Sequence, residues 1–271
     1  MLARQRQARI LDEIRRQGAA RVTDLTELLG VSDMTVRRDL EHLASIGSVY
    51  KVHGGAVLST KASEEPGFEI KSSLEQPAKS AIAALAARLI EPGSAIAISA
   101  GTTTWGLARH VGAIPGLTIV TNSTTVADLI SASGAASDHT VILTGGIRTP
   151  SAALVGPVAD LALRNLHVDQ LFLGVHGMDP VAGFTTPNLA EAETNRALIA
   201  GATRVVICAD STKWGAIGLA SFAPLSAADV LITDSGLSAE ARIVLLEEVG
   251  SLQIADVDRV VRPVKAEHTP A

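Results

Sequence analysis

The run Ser32-Asp-Met-Thr-Val-Arg-Arg-Asp-Leu40 decides how the N-terminal part of the chain is read. It opens with a residue whose side-chain oxygen caps helices. The predicted helix runs on to Ile46, and Gly47 is placed to end it. At about 100° per residue, Val36, Leu40 and Leu43 share one face, which must be buried. Met34, Arg38, Glu41 and Ser45 fall opposite, with Thr35 and His42 beside them. The N-terminal residues of such a helix are the ones that approach base edges in the major groove. Arg38 suits a bidentate contact to guanine and Thr35 a base edge or phosphate. Arg37 points sideways, toward a phosphate, and Asp39 is expected to pair with an arginine and not with DNA.

Working outward, residues 3–17 read as a helix with Ile10, Leu11 and Ile14 on one side, stopped by Gly18. A short helix follows from Thr23, its expected N-cap, to Leu29, and Gly30-Val31 makes a tight turn. Residues 48–58 form two short strands around His53-Gly54-Gly55. Lys51 and His53 on that hairpin are placed to reach the DNA backbone or minor groove, and Ser32 joins them in the expected DNA-binding set. Three helices and a hairpin outline a small winged helix-turn-helix domain over residues 1–58. Charge agrees with it. Residues 1–61 hold 10 Lys/Arg against 7 Asp/Glu, whereas the remaining residues hold 13 against 21, within a net charge of −5. A basic head on an acidic body means that only the head meets a polyanion.

Residues 59–76 are polar, rich in turn formers and without periodicity, and read as a linker. From 77 to 262, short apolar strands alternate with helices. The strands expected are Ala95–Ser99, Leu117–Thr121, Thr140–Thr144, Gln170–Val175, Arg204–Ala209, Val230–Thr233 and Leu252–Ala255. This pattern predicts an α/β domain with an open, mainly parallel sheet covered on both faces. Residues 263–271 are expected to be a disordered tail. In such a sheet the loops after the strands converge on one crevice. Gly101-Thr102-Thr103, opening a helix, has the free N–H groups and hydroxyls that suit a phosphate. It lacks the lysine of a Walker A loop. Ser99, Thr121-Asn122, Gly145-Gly146 with Arg148, and Asp210 with Lys213 lie on further loops of that kind, Lys213 bringing a positive charge. Glu191 and Glu193 open a helix after a Gly/Pro-rich loop and offer acceptors for sugar hydroxyls.

Composition narrows the rest. With 3% aromatic residues, the core must be built from Ala, Val, Leu and Ile. Cys208 is the one cysteine, which rules out an intrachain disulfide and a cysteine zinc site; it lies in an apolar run and reads as a buried strand residue. No metal or cofactor is expected. The N-terminus is charged but has no apolar stretch behind it, and no uncharged run is apolar enough to span a bilayer, so a cytoplasmic protein with no membrane partner is expected.

Val22–Gly30, Ser32–Leu40 and His53-Gly-Gly-Ala56 together resemble the head of the DeoR family of bacterial regulators, and the resemblance continues through most of the second domain. It implies a sensor fold similar to ribose-5-phosphate isomerase and glucosamine-6-phosphate deaminase. It also implies a phosphorylated sugar or related metabolite as inducer. The Gly-Thr-Thr loop, Thr121-Asn-Ser, Gly145-Gly146, Ala190-Glu191 and Asp210-Ser-Thr-Lys213 have counterparts in the family pattern. Ser99 stands where many members carry Asp, trading a charged acceptor for a hydroxyl, and Trp214 stands where Phe is frequent. The expected function is therefore a repressor of a carbohydrate operon, a homo-oligomer (dimer or tetramer) released from operator DNA by a sugar phosphate. The alternative is an isomerase-like enzyme with a DNA-binding appendage, using Asp210, Lys213 and Glu193 as acid–base groups. A purely architectural DNA-binding protein leaves the loops of the second domain unexplained.

Overall fold

The computed structural model describes residues 2–17, 19–45, 48–52, 54–58, 67–133 and 138–257. The chain divides into two compact units, Met1–Pro66 and Gly67–Ala271. Among the described residues, no helix is long and apolar enough to cross a membrane.

The head is built from α1 (Ala3–Gln17), β1 (Ala19–Arg21), α2 (Val22–Leu29), α3 (Asp33–Ser45), β2 (Val49–Val52) and β3 (Gly55–Leu58). Helical spacing puts Ile10 and Ile14, Leu25, and Val36, Leu40 and Leu43 into one core with Val49 and Ala56. Burying each such Leu, Ile or Val contributes about 1.5–3 kcal/mol. The sequence reading missed β1, which pairs antiparallel with β3 (Ala20 opposite Ala56) and makes the hairpin a three-stranded wing. This strand also corrects the start of α2. The chain passes from β1 straight into the helix at Val22, whose N–H donates to Gly54 O at 2.9 Å. Arg21 holds the N-cap position without a side-chain bond, and the Thr23 hydroxyl donates to Asp24 instead. The wing packs tightly enough that a Cβ at Gly55 would lie 2.4 Å from Ala20 O.

The body carries a seven-stranded parallel sheet in the order β15-β14-β12-β9-β4-β5-β6. Its strands are β4 (Ala95–Ile98), β5 (Thr118–Thr121), β6 (Thr140–Leu143), β9 (Val168–Gly174), β12 (Ala202–Cys208), β14 (Val230–Asp234) and β15 (Leu252–Ala255). Successive residues of a strand face opposite sides. Ile96, Ile98, Phe172, Val206, Cys208 and Ile232 therefore pack under α5 (Gln76–Ala87), α6 (Thr102–Val111) and α7 (Thr124–Ala132). Ala97, Leu171, Leu173, Val205, Ile207 and Leu231 pack under α8 (Pro157–Leu163), α9 (Leu189–Ala200) and α10 (Ala239–Glu248). Cys208 is buried, and burial pushes its thiol up to about 12, so it is inert.

Three features of the body differ from the sequence reading. A helix, α4 (Phe68–Ser73), lies inside the stretch read as linker. It is tied to the body: Phe68 N–H donates to Pro150 O at 3.1 Å, and its ring meets Trp105 edge-on at 5.7 Å. Two small antiparallel assemblies were not anticipated. One is the ribbon of β7 (Ile147–Arg148) and β8 (Leu154–Val155); the other is the sheet of β10 (Gly177–Asp179), β11 (Gly183–Thr186) and β13 (Ala220–Ala223). Strands of two to four residues carry too little alternation to be read. The expected tail, 263–271, lies outside the described residues.

Connectivity creates the crevice. From β4 the chain steps to β5 and β6 on one side, and from β9 to β12, β14 and β15 on the other. The order reverses between β4 and β9, the kind of switch point beside which ligands bind in open parallel sheets.

Candidate functional site

On the head, the face read from sequence is exposed. Met34, Arg37 and Arg38 are open to solvent and Thr35 is half-buried. Ser32 opens α3: its carbonyl accepts the Val36 N–H at 3.1 Å, and its hydroxyl lies 2.9 Å from that of Thr35. Arg37 forms an i,i+4 ion pair with Asp33, one turn back. Asp39 is buried and takes Arg6 and Gln7 from α1, the latter at 3.0 Å, so it locks α3 onto α1. Lys51 is on β2 opposite Ala56. His53 lies outside the described residues.

In the body, the crevice is built from strand ends. Gly101 turns from β4 into α6 with φ 151°, and it caps the helix with no side-chain hydrogen bond. By contrast α7, α9 and α10 are capped by Ser123, Asn188 and Ser238. The first turn of α6, with Thr102 half-buried and Thr103 buried, thus presents partial positive charge.

Three residues expected to touch the effector tie the loops together. Ser99 is buried; its hydroxyl accepts the Gly174 N–H at 3.0 Å across the switch point and donates to Ala100 O. Thr121 is buried and donates to Ile98 O at 2.7 Å. Asn122 accepts the Ala100 N–H at 2.8 Å and donates to Leu154 O, joining three loops. Their polar atoms are consumed by backbone. Gly146, at φ 122°, lets the loop after β6 close on β8, since a Cβ there would lie 2.7 Å from Val155 O; Gly145 adjoins it. Arg148 is exposed on β7. Glu191 accepts the Thr186 hydroxyl at 3.0 Å in the first turn of α9. Glu193 is exposed and paired with Arg196, which also donates to Ser221 O.

Asp210 and Lys213 meet as expected, and in company the sequence reading missed. Asp210 is buried at the start of a one-turn 3₁₀ helix, Ser211–Lys213. One carboxylate oxygen accepts the Thr212 N–H and hydroxyl; the other, Oδ2, is buried with no hydrogen-bond partner among the described residues. Burial alone would raise this carboxyl, but Lys213, the Thr212 bonds and Lys79 together hold it below its ordinary value. Lys79, on α5, is buried. Its ammonium donates to Lys71 O at 2.6 Å and Leu74 O at 2.8 Å, the carbonyls of α4 and the turn after it. Burial lowers Lys79 to about 8, opposed by Asp210 and Glu75 and reinforced by Lys213 and Lys71. His176, two residues beyond β9, is lowered to about 4 by burial and then by Lys213 and Lys71. Lysines from three separate elements, the carboxylates of Asp210 and Glu75 and a neutral imidazole thus act on one another. A signal for Lys79 was present: it is the only charged residue in Gln76–Ala87.

Family models match both units: the DeoR-like helix-turn-helix domain over residues 6–62 and the DeoR C terminal sensor domain over residues 74–235. The chain is 36% identical over 263 residues to the HTH-type transcriptional regulator GlpR of Haloferax volcanii, covering 97% of this chain and 100% of that one. It is 35% identical over 241 residues to a putative aga operon transcriptional repressor of Escherichia coli O157:H7, covering 88% of each. Among solved structures, a D-ribose-5-phosphate isomerase in complex with phospho-erythronic acid is similar over 52% of this chain and 54% of its own, at 17% identity and a TM-score of 0.38.

Proposed function

This chain belongs to the DeoR family of transcription regulators, and from that premise we propose that a phosphorylated sugar or related metabolite binds the crevice of the body and releases the head from operator DNA. The carrying observation is the pairing of two lysines, Lys79 and Lys213, with one buried carboxylate, Asp210. Taking an ammonium out of water is costly. The excess positive charge becomes favourable when a phosphate dianion enters. The α6 N-terminus adds N–H groups for the same anion, and Asp210 Oδ2 offers an acceptor to a hydroxyl beside it.

On the head, Arg38 and Thr35 read bases and Arg37 takes a phosphate once it leaves Asp33. Two heads held by an oligomeric body bind two half-sites, and the effector acts by favouring a body geometry that no longer fits them. The isomerase alternative needs Glu193 beside Asp210 and Lys213. Glu193 is instead exposed and paired with Arg196.

The test is a thermal-shift screen of the full chain against sugars and their phosphate esters, followed by titration of the protein–operator complex with whichever ester responds. The reading requires stabilisation by an ester and not by its parent sugar; a ligand at 100 times its Kd adds about 2.7 kcal/mol. Equal responses to ester and sugar, or a stabilising ester that never dissociates the DNA complex, would overturn it.

A further inference from the structure

We propose that His176 selects among phosphorylated effectors, its imidazole hydrogen-bonding a hydroxyl of the carbon chain while the lysines hold the phosphate. This rests on the reading of the crevice as a phosphate-ester site.

The placement of His176 carries the inference. It follows β9, one of the two strands that flank the switch point. Its backbone is fixed on three sides. Two residues earlier, Gly174 donates to Ser99 across the switch point. His176 N–H itself donates to Thr185 O at 3.1 Å. At Gly177 a Cβ would lie 1.9 Å from Ala216 O, in the loop just beyond Lys213. The imidazole is therefore presented from a rigid frame, as a group that reads geometry must be.

Its surroundings fit the same role. Lys213 from the 3₁₀ turn and Lys71 from α4 are the charged groups that face it, and both disfavour a second positive charge beside them. The ring stays neutral, with one nitrogen donating and the other accepting. Among the described residues neither nitrogen has a hydrogen-bond partner. A neutral, part-buried ring between two ammonium groups adds little to phosphate attraction, which the lysines already supply. What it can do is hydrogen-bond a hydroxyl as donor or acceptor. A site built to bond a hydroxyl discriminates strongly against an analogue without one, because its own polar atom is then left unpaired. Phosphate recognition and chain recognition thus fall to different residues of one crevice.

The experiment uses the full-length protein, isothermal titration, and a panel of inorganic phosphate, glycerol 3-phosphate, ribose 5-phosphate, glucose 6-phosphate, and the 2-deoxy analogues of the last two. Wild type should bind at least one hydroxylated ester tenfold or more tightly than inorganic phosphate. In His176→Phe that preference should fall roughly tenfold, with the phosphate Kd changed less than twofold. His176→Asn, which keeps a donor and an acceptor, should retain part of the preference and guards against misfolding of the Phe variant. Lys213→Met should weaken phosphate and esters alike. If His176→Phe and His176→Asn both keep the wild-type preference, or lose phosphate and esters equally, His176 does not select. If wild type binds none of the panel, or Lys213→Met binds it unchanged, the phosphate-site reading fails and this inference with it.

Discussion

The two units handle charge in opposite ways. On the head, Arg37 and Arg38 stand in solvent and Asp39 turns inward to lock two helices together. In the body, Lys79 and Asp210 are buried, and the exposed carboxylate at Glu193 is spent on a neighbouring arginine. The difference is the one that the proposed ligands, a duplex and a small anion, would require. A duplex cannot enter a protein, so the groups that meet it must be carried to the surface, where each charge is cheap and weak. A small anion can be enclosed, so its partners can sit in a cleft of low dielectric, where each is costly when empty and strong when filled.

This contrast is broken most sharply by removing the cations beside Asp210, buried Lys79 and half-buried Lys213. Lys213→Met and Lys79→Met should each weaken effector binding tenfold to a hundredfold, since a charge-assisted hydrogen bond contributes about 1.5–3 kcal/mol when water is excluded. Operator affinity without effector should stay within about twofold of wild type. Parallel titrations of DNA and effector check both. A large loss of operator binding in a folded variant would mean that the two units do not divide the work as proposed.

On the head, the exposed residues divide by what they meet. Arg38→Ala should cost about 1–3 kcal/mol on the operator and much less on random DNA. Arg37→Ala should weaken both alike and flatten the salt dependence by about one unit. Equal losses from both substitutions on both DNAs would remove Arg38 from base recognition.

The half-buried imidazole gives a smaller effect with a defined sign. His176 titrates near 4 in the folded body against 6.5 unfolded. Between those values the unfolded chain binds more protons, so folding stability falls as pH drops from 6.5 toward 4. After allowance for water reaching a half-buried ring, the loss is about 1–2 kcal/mol. Urea unfolding at pH 7 and pH 4.5 should show it in wild type and show less of it in His176→Asn. Identical pH dependence in the two proteins would place the ring in water.

The same contrast explains what was legible. The seven parallel strands, the helices that cover them and the exposed face of α3 follow from local apolar periodicity and from caps such as Ser32. Asp210, Lys213 and Gly101–Thr103 could be singled out because they follow parallel strands, whose trailing loops converge by topology. Lys79 and His176 gave no such signal because their surroundings are tertiary. Lys79 is buried by carbonyls of an α4 read as linker, and His176 is set by an antiparallel sheet too short to show a pattern. Ser99, Thr121 and Asn122 show a related limit of local pattern: polar residues that tie loops and polar residues that bind ligands look alike until the backbone partners are known.

The smallest effect tests the exposed half of the comparison. Asp33 and Arg37 form an ion pair between two exposed side chains one turn apart. In water such a pair gains little, because solvent and salt screen it and both side chains lose freedom. DNA changes the competition. A phosphate beside Arg37 must displace Asp33 and also approach its negative charge. Asp33→Asn removes that repulsion while keeping a residue of the same shape and polarity in the first turn of α3. It should raise affinity for operator and random DNA alike, by about two- to fivefold at low salt, and the gain should shrink as salt is added. Discrimination should not change, since Arg38 is untouched. Filter binding at two salt concentrations measures all three quantities. A gain restricted to the operator would mean that the pair positions Arg38. No gain at either concentration would mean that Arg37 does not reach a phosphate.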